Sequence, residues 1–226
     1  MLINCNIGYQ DFESDIDERV ISSVDIINIA SHKDNKDKTQ HYQELAQKHD
    51  VKVSALLSYP KENERDNTFQ AISTEDLIAS LEEQLLGFEA ITCVRFHGRL
   101  YDHANRSAEL ADHLAAWLHD KGIKEVIAPY RSMLHKACTH YSISVLYEAF
   151  ADRTYKGMNL GLELMSKDHI GSTLEDIQSI VRQVRKLKNG TIEIDGHNYL
   201  VEVDTIHVTA DSKQRLKIIE AISAIL

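Results

Sequence analysis

The stretch 91-ITCVRFHGRLYDH-103 frames the reading of the chain. Residues 91–96 form a largely apolar run, and His97-Gly98 follows it directly. A buried strand that ends in a histidine and a glycine is a common way for an α/β enzyme to present a reactive group. Similar runs recur on either side, at 2–7, 24–29, 51–57, 123–128, 145–150 and 205–208. Most are apolar almost throughout rather than alternating, which fits strands covered on both faces, as in a parallel sheet. Helical patterns separate them. Ser73 opens S-T-E-D, a capping-box signal with Asp76 at its fourth place, and Leu77, Leu81 and Leu85 follow before Gly87. Thr173 opens T-L-E-D in the same way, ahead of Ile177, Val181 and Val184, with Asn189-Gly190 as the stop. A third helix carries Leu110, Leu114, Trp117 and Leu118 and ends near Gly122, and a fourth is predicted from about Ser212. These stripes read as core faces. Asp195-Gly196, between two alternating runs, predicts a tight β-hairpin. The segments 33-KDNKDK-38 and 61-KENERDN-67 read as solvated loops.

Seven βα-like units in 226 residues make one α/β domain, either a barrel or an open doubly wound sheet. In both, function sits at the carboxyl ends of the strands. The residues expected there are Asn4, Asn6 and Gly8, then Asn28, Ser31 and His32, then Ser58 and Tyr59. His97, Gly98 and Tyr101 follow, then Asp152 and Arg153, and last Asp204, Thr209 and Asp211.

Bulk properties narrow the function classes. The chain has 35 acidic and 25 basic residues, a net charge of −10, which argues against non-specific nucleic-acid binding and docking on anionic lipid. Three cysteines without a CxxC predict neither a disulfide framework nor a zinc knuckle. No signal peptide and no apolar run of membrane-spanning length is visible, so a reducing cytoplasm is the expected location. The phosphate-loop, GxGxxG, GxSxG and HExxH patterns do not occur, and no metal ligand set is expected.

Read in order, the strand-end residues resemble the LamB/YcsF family. Asn4-Cys5-Asn6-Ile7-Gly8 is similar to the family's opening N-C-D-x-G-E, and Asn28-Ile29-Ala30 to the start of A-N-I-A-C-G-F-H-A-G-D. Residues 54–60, SALLSYP, sit on G-A-H-P-S-Y-P, and 94–101 on V-K-P-H-G-A-L-Y. Residues 150–155, FADRTY, are close to F-A-D-R-x-Y, and 204–211 lie on D-T-x-C-V-H-G-D. The resemblance implies an irregular seven-stranded (β/α) barrel similar to the glycoside hydrolase/deacetylase barrels. It implies ATP-dependent opening of the lactam of 5-oxoproline, or of a related cyclic amide, by an A-type 5-oxoprolinase component working with B- and C-type partners. His97 and Asp152 are then the expected catalytic pair, with Asn4, Asn6, Asn28, Tyr59, Tyr101, Arg153 and Asp211 around the substrate.

Departures accompany the resemblance. The first-motif acid is Asn6 and its Glu is Tyr9; the third-motif histidine is Leu56; Lys and Pro of the fourth are Arg95 and Phe96; the last-motif histidine is Thr209, with His207 two residues earlier. Neither Leu56 nor Thr209 can act as a base near neutral pH. The alternative is therefore a barrel that has kept its pocket for ligand or partner binding without turnover. A metal-dependent deacetylase rests on fold analogy alone.

Overall fold

A computed structural model describes residues 1–8, 14–30, 36–60, 72–157, 161–209 and 214–226. The expected residues Tyr9, Ser31, His32 and Asp211, the segments 33–35 and 61–67, and the helix start at Ser212 lie outside them.

Seven strands close into an all-parallel barrel. They are β1 (Leu2–Ile7), β2 (Ile26–Ala30), β3 (Lys52–Leu57), β4 (Cys93–Phe96), β5 (Glu125–Ala128), β6 (Ser144–Phe150) and β11 (Thr205–Val208). Each pairs with its neighbour in chain order, and β1 closes the ring on β11 with Asn4 opposite His207. The helices packed outside are α1 (Ser14–Ile21), α2 (Lys36–Lys48), α3 (Thr74–Leu85), α4 (Gly98–Arg106), α5 (Ala108–Asp120), α6 (Met133–His140), α7 (Ile177–Lys188) and α8 (Arg215–Ser223). Two small antiparallel pairs are appended, β7 (Tyr155–Gly157) with β8 (Glu163–Leu164), and β9 (Thr191–Ile194) with β10 (His197–Leu200).

The strands look apolar throughout because the alternation hides in their composition. One set of positions (Ile3, Cys5, Ile27, Ile29, Val94, Phe96, Val126, Ala149, Ile206, Val208) joins the large cluster between barrel and helices. The other set points inward. At the floor it is apolar: Ile26, Cys93 and Ile127, with Leu146 against them, form a separate cluster. Two residues further along the same strands stand Asn28, Arg95 and Glu148, all buried. The interior therefore changes from hydrocarbon to hydrogen-bonding groups over one layer, and that second layer carries the site.

Some expectations are corrected. Helix α7 is capped by Asp176, whose carboxylate accepts from the Ser179 N–H at 2.9 Å, and not by Thr173. Thr173 instead bridges to Arg153. Residues 36–38, expected in a solvated loop, open α2. Asp204 precedes β11 and accepts the Tyr147 N–H at 2.8 Å, which puts it at the amino end of the barrel, away from the site face. The predicted hairpin forms at Asp195-Gly196, where both residues have positive φ (50° and 76°), as a type I′ turn requires.

Candidate active site

The carboxyl end of the barrel opens into a cavity of about 580 Å³. Asn6, Arg95, His97, Tyr101, Phe150, His207 and Thr209 form its base. Arg99, Arg106, Arg153, Lys156 and Lys167 stand on its walls, with Asp102 and Asp168 as its acidic lining residues. In a chain of net charge −10, the six lining cations outnumber Asp102 and Asp168 of the lining together with Glu148, which pairs with Arg95, and Glu163, which faces Arg106 and Lys156, and this positive excess favours an anion.

His97 follows β4 as the N-cap of α4, with no side-chain hydrogen bond capping that helix, and its ring is half-buried. Asn6 holds it, with Nδ2 3.3 Å from His97 Nδ1. Asn6 in turn accepts from Asn28 Nδ2 at 3.2 Å, and Asn28 also donates to Asn4 Oδ1 at 2.8 Å. Asn4 donates to Thr205 Oγ1 at 2.9 Å and lies 2.6 Å from His207 Nδ1. Three asparagines on β1 and β2 thus join His97, at the end of β4, to His207 on β11.

Arg95 and Glu148 form the charged centre of this layer. Nε and Nη2 of Arg95 donate to the two carboxylate oxygens, each at 2.7 Å, and the side chains are 2% and 0% exposed. The guanidinium lies 5.1 Å from the Tyr101 ring centre and 5.6 Å from that of Phe150. Glu148 Oε1 is also 3.8 Å from His207 Nδ1. Burial, and then the charge of Arg95, holds the His207 pKa well below the usual histidine range, so the ring is neutral.

The expected site residues separate into two groups. Asn6, His97, Tyr101 and Arg153 line the cavity. Asn4 and Asn28 are fully buried and reach the cavity through Asn6 and the two histidines. Tyr59 is buried, and its hydroxyl meets His103 Nδ1 at 2.8 Å rather than His97. Asp152 is buried and accepts from Thr209 through Oγ1 at 2.8 Å and through the backbone N–H at 3.2 Å. It therefore orients Thr209 and not His97, a correction to the expected pair. Burial raises its carboxyl pKa while the Thr209 hydrogen bonds oppose the rise. Arg153 forms no pair with Asp152. Its Nε donates to Ser172 O at 3.1 Å and its Nη2 to Met165 O at 2.8 Å. Both partners are neutral, so a buried guanidinium charge remains for an anion in the cavity.

Arg95 and Glu148 were not expected as a pair. The signal was a cation in 93-CVRF-96 and a carboxylate in 145-VLYEAF-150, each inside an otherwise apolar strand. Two opposite charges in buried strands imply each other.

The family model of the LamB/YcsF family matches residues 1–226. The chain belongs to the LamB/YcsF family. Among its relatives, the A-type component of 5-oxoprolinase from Vibrio parahaemolyticus is 25% identical, with 98% of this chain and 94% of that protein covered. The same barrel fold is seen in the crystal structure of a lactam utilization protein from Thermus thermophilus. That structure is 21% identical, with a TM-score of 0.79, covering 98% of this chain and 94% of that one. A chitinase of glycoside hydrolase family 18 from Pseudoalteromonas aurantia shares the barrel at 11% identity and a TM-score of 0.58, with both chains fully covered. The α/β barrel expected from the resemblance is the fold observed. Among the described residues there is no cluster of three or more His, Cys, Asp or Glu side chains able to hold a metal ion, and no helix long and apolar enough to cross a membrane.

Proposed function

We propose that this chain works as the A-type component of a 5-oxoprolinase, opening the lactam of 5-oxoproline or a closely related small cyclic amide to the amino acid. The observation that carries the reading is His97, at the end of β4, on the floor of a cation-walled cavity of small-molecule size. His97 then contacts the lactam, Arg153 holds the substrate carboxylate in the fork geometry that a guanidinium offers, and Tyr101 and Phe150 cover the ring. ATP, used through the assembled complex with B- and C-type partners, supplies activation of the lactam carbonyl. The wall fits an anion of that kind, and Lys156 and Lys167 would hold it. The setting is cytoplasmic.

The test is glutamate release from 5-oxoproline and ATP by this chain assembled with its B- and C-type partners. A folded assembly that leaves 5-oxoproline intact contradicts the reading. A second reading, a binding or regulatory barrel without turnover, draws support from Leu56 and from the saturation of Asp152 by Thr209, which stands at the family's last-motif histidine. It predicts a rise in melting temperature with 5-oxoproline and no product.

A further inference from the structure

Two imidazoles share the cavity, and the amide chain between them sets which nitrogen of each carries the proton. Asn28 donates both its N–H groups, one to Asn4 Oδ1 and one to Asn6 Oδ1. That turns the Nδ2 of Asn6 toward His97 Nδ1, at 3.3 Å. His97 Nδ1 is therefore an acceptor, and the neutral ring carries its proton on Nε2. At the other end Asn4 Oδ1, an acceptor, lies 2.6 Å from His207 Nδ1. His207 thus carries its proton on Nδ1, and its Nε2 has the lone pair. Thr205 fits the same polarity by accepting from Asn4 Nδ2. Both imidazoles line the cavity, His97 with its proton on Nε2 and His207 with its lone pair there.

We propose that His207 is the general base of this site, that Asn4 is its positioning residue, and that His97 donates a hydrogen bond to the substrate carbonyl oxygen. The proposal rests on the lactam-opening reading. With the carbonyl oxygen phosphorylated by ATP, the Nε2–H of His97 donates to that oxygen. His207 Nε2 takes a proton from water as the water oxygen bonds to the activated carbonyl carbon. The C–N bond then breaks, and His207 returns its proton to the leaving nitrogen. The acyl phosphate left behind is hydrolysed by a second water, so one ATP and two waters are consumed, both rings end neutral, and the products are the open amino acid, ADP and phosphate. A neutral His97 has one proton, whose loss would leave an imidazolate, so it serves as a hydrogen-bond donor and His207 carries the proton. His207 lies two residues before Thr209, on the same face of β11, so the strand still presents an imidazole to the cavity. The charged and titratable groups that act on it are Arg95, Glu148, His97, Lys167 and Arg215. Burial and the cations among them keep it uncharged, and its lone pair stays available.

The experiment has two arms. Nitrogen-15 NMR of the isolated chain reads both tautomers; the expected result is Nδ1–H at His207 and Nε2–H at His97. The reverse polarity, with Nε2–H at His207, overturns the proposal whether or not the chain turns over. In the assembled complex, His207→Gln is expected to lower kcat by about 100-fold or more, with KM and melting temperature little changed. Asn4→Asp, which keeps the acceptor and adds charge, raises the His207 pKa and moves the acid limb of kcat/KM to higher pH. A His207→Gln protein that melts earlier yet keeps its kcat, or an acid limb that ignores Asn4→Asp, overturns it. A wild-type complex that leaves 5-oxoproline intact defeats the lactam reading instead, and NMR alone then decides the proton placement.

Discussion

Arg95 and Glu148 meet through two parallel 2.7 Å hydrogen bonds inside the barrel, with neither side chain more than 2% exposed. Desolvating both ions costs about as much as their attraction returns, so the pair adds little to stability as a whole. Losing one partner is different. Glu148→Ala leaves a buried guanidinium without its carboxylate and is expected to destabilise the protein by roughly 3–5 kcal/mol in urea unfolding. Arg95→Met combined with Glu148→Leu should recover most of that loss.

The Asp152–Thr209 contact predicts a smaller effect. Thr209→Val removes the hydroxyl donor and leaves the backbone N–H as the Thr209-position donor to a buried carboxylate. A cost of about 1–3 kcal/mol is expected, together with a further rise of the Asp152 pKa. Carboxyl carbon shifts followed through an NMR titration check the second point.

Stability should fall as pH drops below about 6.5, the unfolded-state histidine value. Burial lowers the native pKa of both His207 and His135, so in this window the unfolded chain binds protons that the native chain refuses. His207 removes up to about 1.4 kcal/mol per pH unit until its native pKa is reached, the more exposed His135 adds a smaller, solvent-screened share, and neither contributes slope above about 6.5. Urea midpoints at several pH values spanning about 5.5 to 7.5 measure this, and His207→Gln should flatten the profile.

Gly161 stands at φ +92°, and a Cβ there would lie 2.7 Å from Tyr130 O and 2.8 Å from Ser132 N. Both obstacles are backbone. Gly161→Ala is therefore expected to cost more than about 1 kcal/mol and to disturb the 164–168 wall of the cavity. Weaker 5-oxoproline binding by calorimetry is the readout.

Much of the barrel was legible in the sequence. The runs 2–7 and 205–208 match β1 and β11 to the residue, because buried parallel strands are read as continuous apolar segments with sharp ends. Helices α4 and α6 were less visible. Helix α4 begins directly after the strand-end histidine, and α6 has eight residues with Leu134 and Cys138 as its buried positions, too few to show a stripe. The strand-end rule led to His97, Asn6, Tyr101 and Arg153, which line one cavity. It could not separate Asn4 and Asn28, which are fully buried and reach the cavity through Asn6 and the two histidines, from residues that touch the cavity, since which inward side chain is covered by its neighbours has no sequence signature. Tyr59 and Asp152 took other partners, His103 and Thr209, for a related reason: proximity at a strand end does not fix which neighbour a side chain bonds.

The most direct measurement is glutamate release from 5-oxoproline plus ATP, with this chain co-assembled with its B- and C-type partners and His97→Ala assembled in parallel. The account predicts turnover by the wild-type complex and its loss on His97→Ala with the assembly intact. Full turnover without His97, or none from a folded wild-type assembly, would contradict it.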